Sequence, residues 1–337
     1  MQLLCLGNIA LNDRPFRLPG WEAPAGFTPG PGSRLLVDWE SPLPEPPVAA
    51  LRRTGPFGRK PESGEGLQRW VPGIATLAGS RSPQTHEYSP APTLLMLRQA
   101  GFKTVGGGQT PEEAGQPLLW GTAEGELTIL NWALSGAPEP GADLAPNCWP
   151  GLLEAGRMIQ AVRQTSDWVM VVLRWEDAPY PHPLPAHREL AFQLAELGAD
   201  VVVGQHPYGV RGMEFAGTSP VFYGLGGFYT SGRLEGGDAY DPQRARISLG
   251  VQFRFTHGLP PVYELFSFAW EQDKVFLDPL QRAFKRFNAA SQVLHDHPIH
   301  LYQEWYDRER QRGQKWTGRL RMESLRKSVA DHLRKQT

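Results

Sequence analysis

The 337-residue chain has only two cysteines and no surplus of either charge, with 34 lysines and arginines against 35 aspartates and glutamates. Near neutrality removes the basic excess that marks a nucleic-acid binder. Two cysteines leave room for one disulfide at most, and nothing in the spacing of Cys5 and Cys148 asks for it. Cys5 lies in an apolar run and reads as an inert buried thiol. No hydrophobic run reaches the length of a membrane span, and the amino-terminal MQLLCLGNIALND lacks the basic n-region of a secretory leader. The expectation is a chain with no membrane span and no nucleic-acid partner, located in the cytoplasm.

Proline and glycine are plentiful instead, at 32 and 37 residues. They cluster early, in RPFRLPGWEAPAGFTPGPGS, SPLPEPP and RRTGPFGRKPESGEG, where they interrupt any periodicity and read as surface loops. Strands stand between them, at Leu3–Gly7 and Arg34–Glu40. Beyond residue 90 strands and helices alternate. Helices are expected over 92–100, 151–165 and 185–197, and buried strands over 102–105, 126–134, 167–175 and 200–203. RARISLGVQFRF and PVYELFSFAWE read as a closing antiparallel pair. The alternation predicts an α/β layered sandwich over residues 1–280, followed over 281–337 by a basic, amphipathic helical extension.

In an α/β fold, chemistry gathers past the carboxyl ends of parallel strands. Several strand ends here carry polar groups: Asn8, Asp38 with Glu40, Arg81, Arg174 with Glu176, and Gln205, His206 and Tyr208 in GADVVVGQHPYG. Together they predict one shared crevice.

This order of elements resembles the bacterial capsule-synthesis CapA family, also called the poly-γ-glutamate synthesis PgsA family. The resemblance rests on LLCLGN, VDWESP, LAGSR, AGFKTVGGGQTPEEA, GADVVVGQHPY and FYGLGGF in the family's order, and it runs to about residue 280. It implies a calcineurin-like metallophosphatase fold, an α/β/β/α sandwich. It also implies a site at which the family's ligands are altered. The family's Gly-Asp is Gly7-Asn8 here. Its Asn-Asn-His is Gly79-Ser80-Arg81. The histidine of its His-Trp-Gly is Arg174. Gln205 and Tyr208 replace the histidines that flank His206 in its Gly-His-His-Pro-His.

A dinuclear site needs Lewis bases. Asp38, Glu40 and His206 remain as candidate catalytic residues and as weak candidate ligands for a single divalent metal. Guanidinium groups do not ligate metals; they supply fixed positive charge and a planar fork. The expectation is therefore no cofactor, with Arg81, Arg174, Asn8, Gln205 and Tyr208 forming an anion-binding crevice. The arginines pair internally with Asp38, Glu40 or Glu176 in the alternative. The function implied is a part in biosynthesis or export of an anionic capsular polymer, as a metal-independent binding or accessory subunit. Its partners would be that polymer or a small anionic ligand, and polymer-synthesis proteins. The alternative is a hydrolase of phosphoester or amide bonds in which His206 works as acid or base.

Weaker features have plainer readings. HDHPIH (His295–His300) reads as a surface cluster, His182 and His187 as solvated loop residues, and Gly106-Gly107-Gly108 as a tight turn. Trp21, Trp70 and Trp149 read as caps on a core edge, with a polymer groove as the alternative.

Overall fold

The computed structural model describes residues 1–11, 19–40, 70–78, 90–134, 145–175, 181–206, 208–231 and 246–312. In chain order the first elements are β1 (Gln2–Leu11), β2 (Gly20–Trp21), β3 (Ser33–Trp39), β4 (Gly73–Thr76), α1 (Pro90–Gln99), β5 (Lys103–Val105) and β6 (Gly107–Gly108). There follow α2 (Pro111–Ala114), β7 (Leu118–Thr122), β8 (Gly125–Ala133), β9 (Ala145–Pro146), α3 (Leu152–Val162), β10 (Trp168–Arg174), α4 (Pro185–Glu196) and β11 (Val201–Gln205). The described part closes with β12 (Met213–Ala216), β13 (Ser219–Phe222), β14 (Gly227–Ser231), β15 (Ile247–Arg254), β16 (Val262–Glu271), β17 (Lys274–Leu277), α5 (Arg282–Asp296) and a last helix, α6, over 299–312.

Two sheets make the sandwich. The first runs β2-β17-β16-β15-β1-β3-β4-β5, with β14 also paired to β1, and the second runs β12-β13-β11-β10-β8-β7. Within the first sheet β1, β3, β4 and β5 are parallel neighbours, as are β8, β10, β11 and β13 in the second. β15 and β16 form the antiparallel pair expected from their alternation. The triple glycine is more than a turn: Gly106 takes a left-handed φ of 81°, and Gly107–Gly108 then pairs with Ala145–Pro146.

Side-chain alternation builds the layers. Leu3 and Cys5 of β1 face the seam between the sheets, where they join Ile129, Met170, Val172, Val201 and Val203. Leu4 and Leu6 point the other way, into a second core with Leu94 and Leu97 of α1. Across the second sheet Val169, Val171 and Val202 meet Ala155, Ile159, Ala191 and Leu194 of α3 and α4. A strand with both faces covered has no polar side to show, which is why WVMVVLR in β10 is buried throughout. The result is helix, sheet, sheet, helix in four layers.

The carboxyl-terminal helices pack into this body. Ala283 and Phe287 of α5 lie in the inter-sheet core, while Leu294 and then Tyr302 and Tyr306 of α6 join the outer core of the second sheet. Trp21, half-buried, rests on buried Trp70 at 5.3 Å, and Trp70 meets Phe228 edge-on at 5.7 Å, so this pair caps the core edge. Trp149 meets Trp132 edge-on at 5.5 Å. His187 is not a solvated loop residue. It lies in the first turn of α4, buried and stacked on Trp175 at 4.6 Å. The helix begins at Pro185, as expected and as suits proline at a first helical position, but its first turn packs on Trp175, and that contact buries the imidazole. His295–His300 runs from the end of α5 to the start of α6 and lies at or near the surface, as expected. Among the described residues no helix is long and apolar enough to cross a membrane.

Candidate functional site

The parallel strands of both sheets end on one side of the sandwich, and their last residues meet across the seam. In the first sheet Asn8, Asp38 and Thr76 are successive partners on one rung. In the second, Ala133, Arg174 and Gln205 form the matching rung. Two close approaches make this possible. A Cβ on Gly204 would lie 1.8 Å from Trp175 Nε1, and one on Gly7 would lie 1.9 Å from the Gly226 carbonyl oxygen. Only glycine lets the indole and the β14 loop come this near.

Glu40 is the hub. Its Oε1 accepts from Arg174 Nη1 at 3.0 Å and lies 2.7 Å from His206 Nδ1, and its Oε2 accepts from the Tyr208 hydroxyl. Arg174 Nη1 also lies 3.6 Å from Asp38 Oδ2. On the other side of Asp38, the Thr76 hydroxyl reaches Asp38 Oδ1 at 3.4 Å and Gln205 Oε1 at 2.8 Å. One hydroxyl proton serves one of these acceptors at full strength. Gln205 Nε2 is buried with no hydrogen-bond partner among the described residues.

His206 takes a left-handed φ of 81°, a rare conformation for a residue with a Cβ. Asn8 holds it there from both ends of its peptide unit: Asn8 Nδ2 donates to the His206 carbonyl at 2.9 Å, and the His206 N–H donates to Asn8 Oδ1 at 3.2 Å. Such strain persists only where surrounding contacts over-determine it, and it concentrates at functional sites. A carboxylate cannot make this two-way clamp, because it has no donor. An asparagine in place of the family's aspartate is therefore suited to gripping backbone.

The two carboxyl groups differ in their protonation. Burial pushes Asp38 up to about 7, with the Glu40 charge adding to the rise against the pull of Arg174. Burial acts on Glu40 in the same sense, but the Arg174 charge and the hydrogen bonds from His206 and Tyr208 overcome it and hold the group down at about 2. Burial alone would weaken the Arg174 proton; Glu40 and Asp38 reverse this and raise its pKa. The cluster thus stores an ionised Glu40–Arg174 pair beside a carboxyl group that titrates near neutrality.

Seven of the nine strand-end residues expected from the sequence come together here: Asn8, Asp38, Glu40, Arg174, Gln205, His206 and Tyr208. Arg81 and Glu176 lie outside the described residues. Two further residues belong to the crevice and were not singled out beforehand. One is Thr76. The other is Asn131, whose Oδ1 accepts from the Leu77 and Ala78 N–H groups at 3.2 and 3.0 Å while its Nδ2 donates to the Val172 carbonyl. Each left a trace, as a polar residue inside an otherwise apolar buried strand.

The donor set does not fit the pair of metal ions that the fold family implies. Arg174 Nη1 lies between the two carboxylates that a cation would need, and the Glu40 oxygens are both engaged. Among the described residues, no group of three or more His, Cys, Asp and Glu side chains is arranged to hold a metal ion.

Comparison with known proteins adds the following. A family model described as bacterial capsule synthesis protein PGA_cap matches residues 35–231, more than half of the chain. The "PGA biosynthesis protein CapA" of Bacillus subtilis (strain 168) is 28% identical over 141 residues, which are 40% of this chain and 37% of that protein. The match thus spans little more than a third of this relative's length. A crystal structure of a hypothetical protein from Thermus thermophilus aligns with 80% of this chain and 100% of its own, at 14% identity and a TM-score of 0.41.

Proposed function

This chain belongs to the PGA_cap family of bacterial capsule synthesis proteins, and from that membership we propose that it serves in biosynthesis or export of an anionic capsular polymer as a metal-independent binding or accessory subunit. The polymer is a polysaccharide or a poly-γ-glutamate. The chain would act on the cytoplasmic side, alongside polymer-synthesis proteins.

The observation that carries this reading is the single-point grip of Arg174. Among the described residues its hydrogen bond to Glu40 and its nearest approach to Asp38 are both made by Nη1. A guanidinium has five donors in a planar fork. The Nε and Nη2 edge is left to meet a carboxylate or phosphate oxygen, while Nη1 stays anchored. Glu40 fixes the fork's orientation, and His206 and Tyr208, tied to the same carboxylate, flank it. Internal pairing and ligand binding are therefore compatible: the internal pair sets the geometry and the remaining edge reads the anion.

The test is calorimetric titration with a short γ-linked glutamate oligomer and, separately, with inorganic phosphate. Arg174→Lys keeps the charge against Glu40 and removes the fork. The reading expects binding by the native chain and a loss of at least about tenfold in Arg174→Lys, consistent with about 1.4 kcal/mol or more for a bidentate contact. No binding of either probe, or equal binding by the two proteins, would sink it.

A second reading has its own observation in favour. His206 Nδ1 sits 2.7 Å from Glu40 Oε1, a carboxylate–imidazole pair of the kind that orients a general base. In that reading the chain is a hydrolase of phosphoester or amide bonds, with His206 moving the proton and Glu40 orienting it. Turnover of a γ-glutamyl or phosphoester substrate, lost in His206→Gln and retained in Tyr208→Phe, would decide for it.

A further inference from the structure

Away from the strand-end crevice, two histidines meet Trp305 of α6 and a third lies in the first turn of α4. His182 precedes α4 and meets the edge of Trp305 at 5.1 Å. His297, between α5 and α6, meets the same indole at 4.8 Å and donates from Nδ1 to the Val293 carbonyl at 2.9 Å. His187, in the first turn of α4, is stacked on Trp175, and its buried Nδ1 has no hydrogen-bond partner among the described residues. Tyr302 of α6 stacks on Trp305 at 5.2 Å, and its hydroxyl donates to the Pro183 carbonyl at 2.8 Å, beside His182.

Among the described residues, charged groups of both signs face this seam. Arg211, on the segment after β11, is buried and acts on both His182 and His187. Arg188 of α4 lies over the Tyr302 ring at 4.3 Å, but its charge is taken by Glu214, which also accepts from Tyr223. From α6, Glu309 faces His182 with the opposite sign and is itself paired with Arg312. Asp307, Arg310 and Arg211 face Tyr306. A proton added to His182 or His187 meets the Arg211 charge in a dry seam, and Glu309 offsets it in part at His182.

We infer that α6 is a proton-released latch: at neutral pH the uncharged imidazoles of His182 and His187 let it close over the second sheet, and protonation of the two expels it while the sandwich stays folded. Burial and the Arg211 charge lower both groups, His182 to about 4 and His187 to about 3, from an ordinary histidine value of 6.5. The sign follows. A group depressed in the folded state contributes stability that is present above pH 6.5 and is lost as pH falls towards its folded value. Helix α6 is the part that yields, because it is held by ring contacts and the Tyr302 bond, whereas β10 and β11 sit in the middle of the second sheet. The seam also reaches the candidate site, since Trp175 directly follows Arg174.

Hydrogen exchange of the full chain, expressed as protection factors from pH 7 to pH 4, tests this. The expected result is a loss of at least about tenfold in protection across residues 299–312 by pH 4.5, with β10 and β11 unchanged. In His182→Gln/His187→Phe the loss disappears. If the double variant is unfolded at pH 7, His182→Gln alone serves, with a transition at lower pH than in the native chain. Retained protection at pH 4, loss in step with β10 and β11, or an unshifted transition in the variant overturns the inference.

Discussion

Arg174 reaches Glu40 with one guanidinium nitrogen at 3.0 Å, joining an end of the second sheet to an end of the first. Both partners are more than nine-tenths buried. The Arg174 cation is met by two carboxylates, Glu40 and Asp38. The rest of the crevice is arranged around that fact.

Removing one member of a buried pair leaves the other charged without compensation. Arg174→Ala is expected to cost about 3–5 kcal/mol in denaturant unfolding. Arg174→Met combined with Glu40→Leu should recover most of the loss, because an apolar pair of similar volume needs no desolvated charge. An Arg174→Ala protein as stable as the native one would show that the pair contributes nothing.

The two carboxyl groups should respond oppositely to pH. Asp38 is raised to about 7 in the fold, above its unfolded value, so its contribution is full below the unfolded carboxyl range and declines as pH rises towards 7. Asp38→Asn should therefore stabilise the chain at pH 8 and have little effect at pH 4. Glu40 is lowered to about 2, so its stabilisation is present above the unfolded value and lost as pH falls through 2. Glu40→Gln should destabilise throughout the neutral range. Thermal melts of both variants at pH 4 and pH 8 test the contrast; changes of the same sign at pH 8 contradict it.

Much of this layout was legible in the sequence because burial leaves marks. VMVVL could only be a strand covered on both faces, and the polar residue after each such strand marked the crevice. The partnerships were not legible. Nothing in the order of residues says that Glu40 rather than Asp38 takes His206, or that Gln205 turns to Thr76, since those choices depend on the stagger of two sheets whose residues are far apart in the chain. Thr76 and Asn131 were passed over because a lone polar residue in an apolar strand looks like a satisfied core group until its partners on another sheet are seen. The burial of His187 was not legible either, because nothing in the order of residues shows that the Trp175 ring lies against the first turn of α4.

Helix α5 completes the inter-sheet core rather than decorating it. Phe287 stacks on Phe222 at 6.2 Å and is almost fully buried. Phe287→Ala should cost about 3–5 kcal/mol by loss of transfer energy and creation of a cavity. A cost near that of an exposed substitution, within about 0.5 kcal/mol, would mean that the helix is peripheral.

Gly204 is the tightest steric constraint at the crevice. Gly204→Ala drives a Cβ into the Trp175 indole, and the expected cost is more than about 2 kcal/mol. Trp175→Phe in the same chain should relieve part of it, which a double-mutant cycle would read as coupling between the two sites.

The most direct test of the central claim is the metal content of protein purified without chelator from cells supplied with zinc and manganese. Fixed charge from Arg174 in place of bound cations predicts far less than one metal ion per chain, with no change in Asp38→Ala or His206→Ala. One or two ions per chain that vanish in those variants would contradict it.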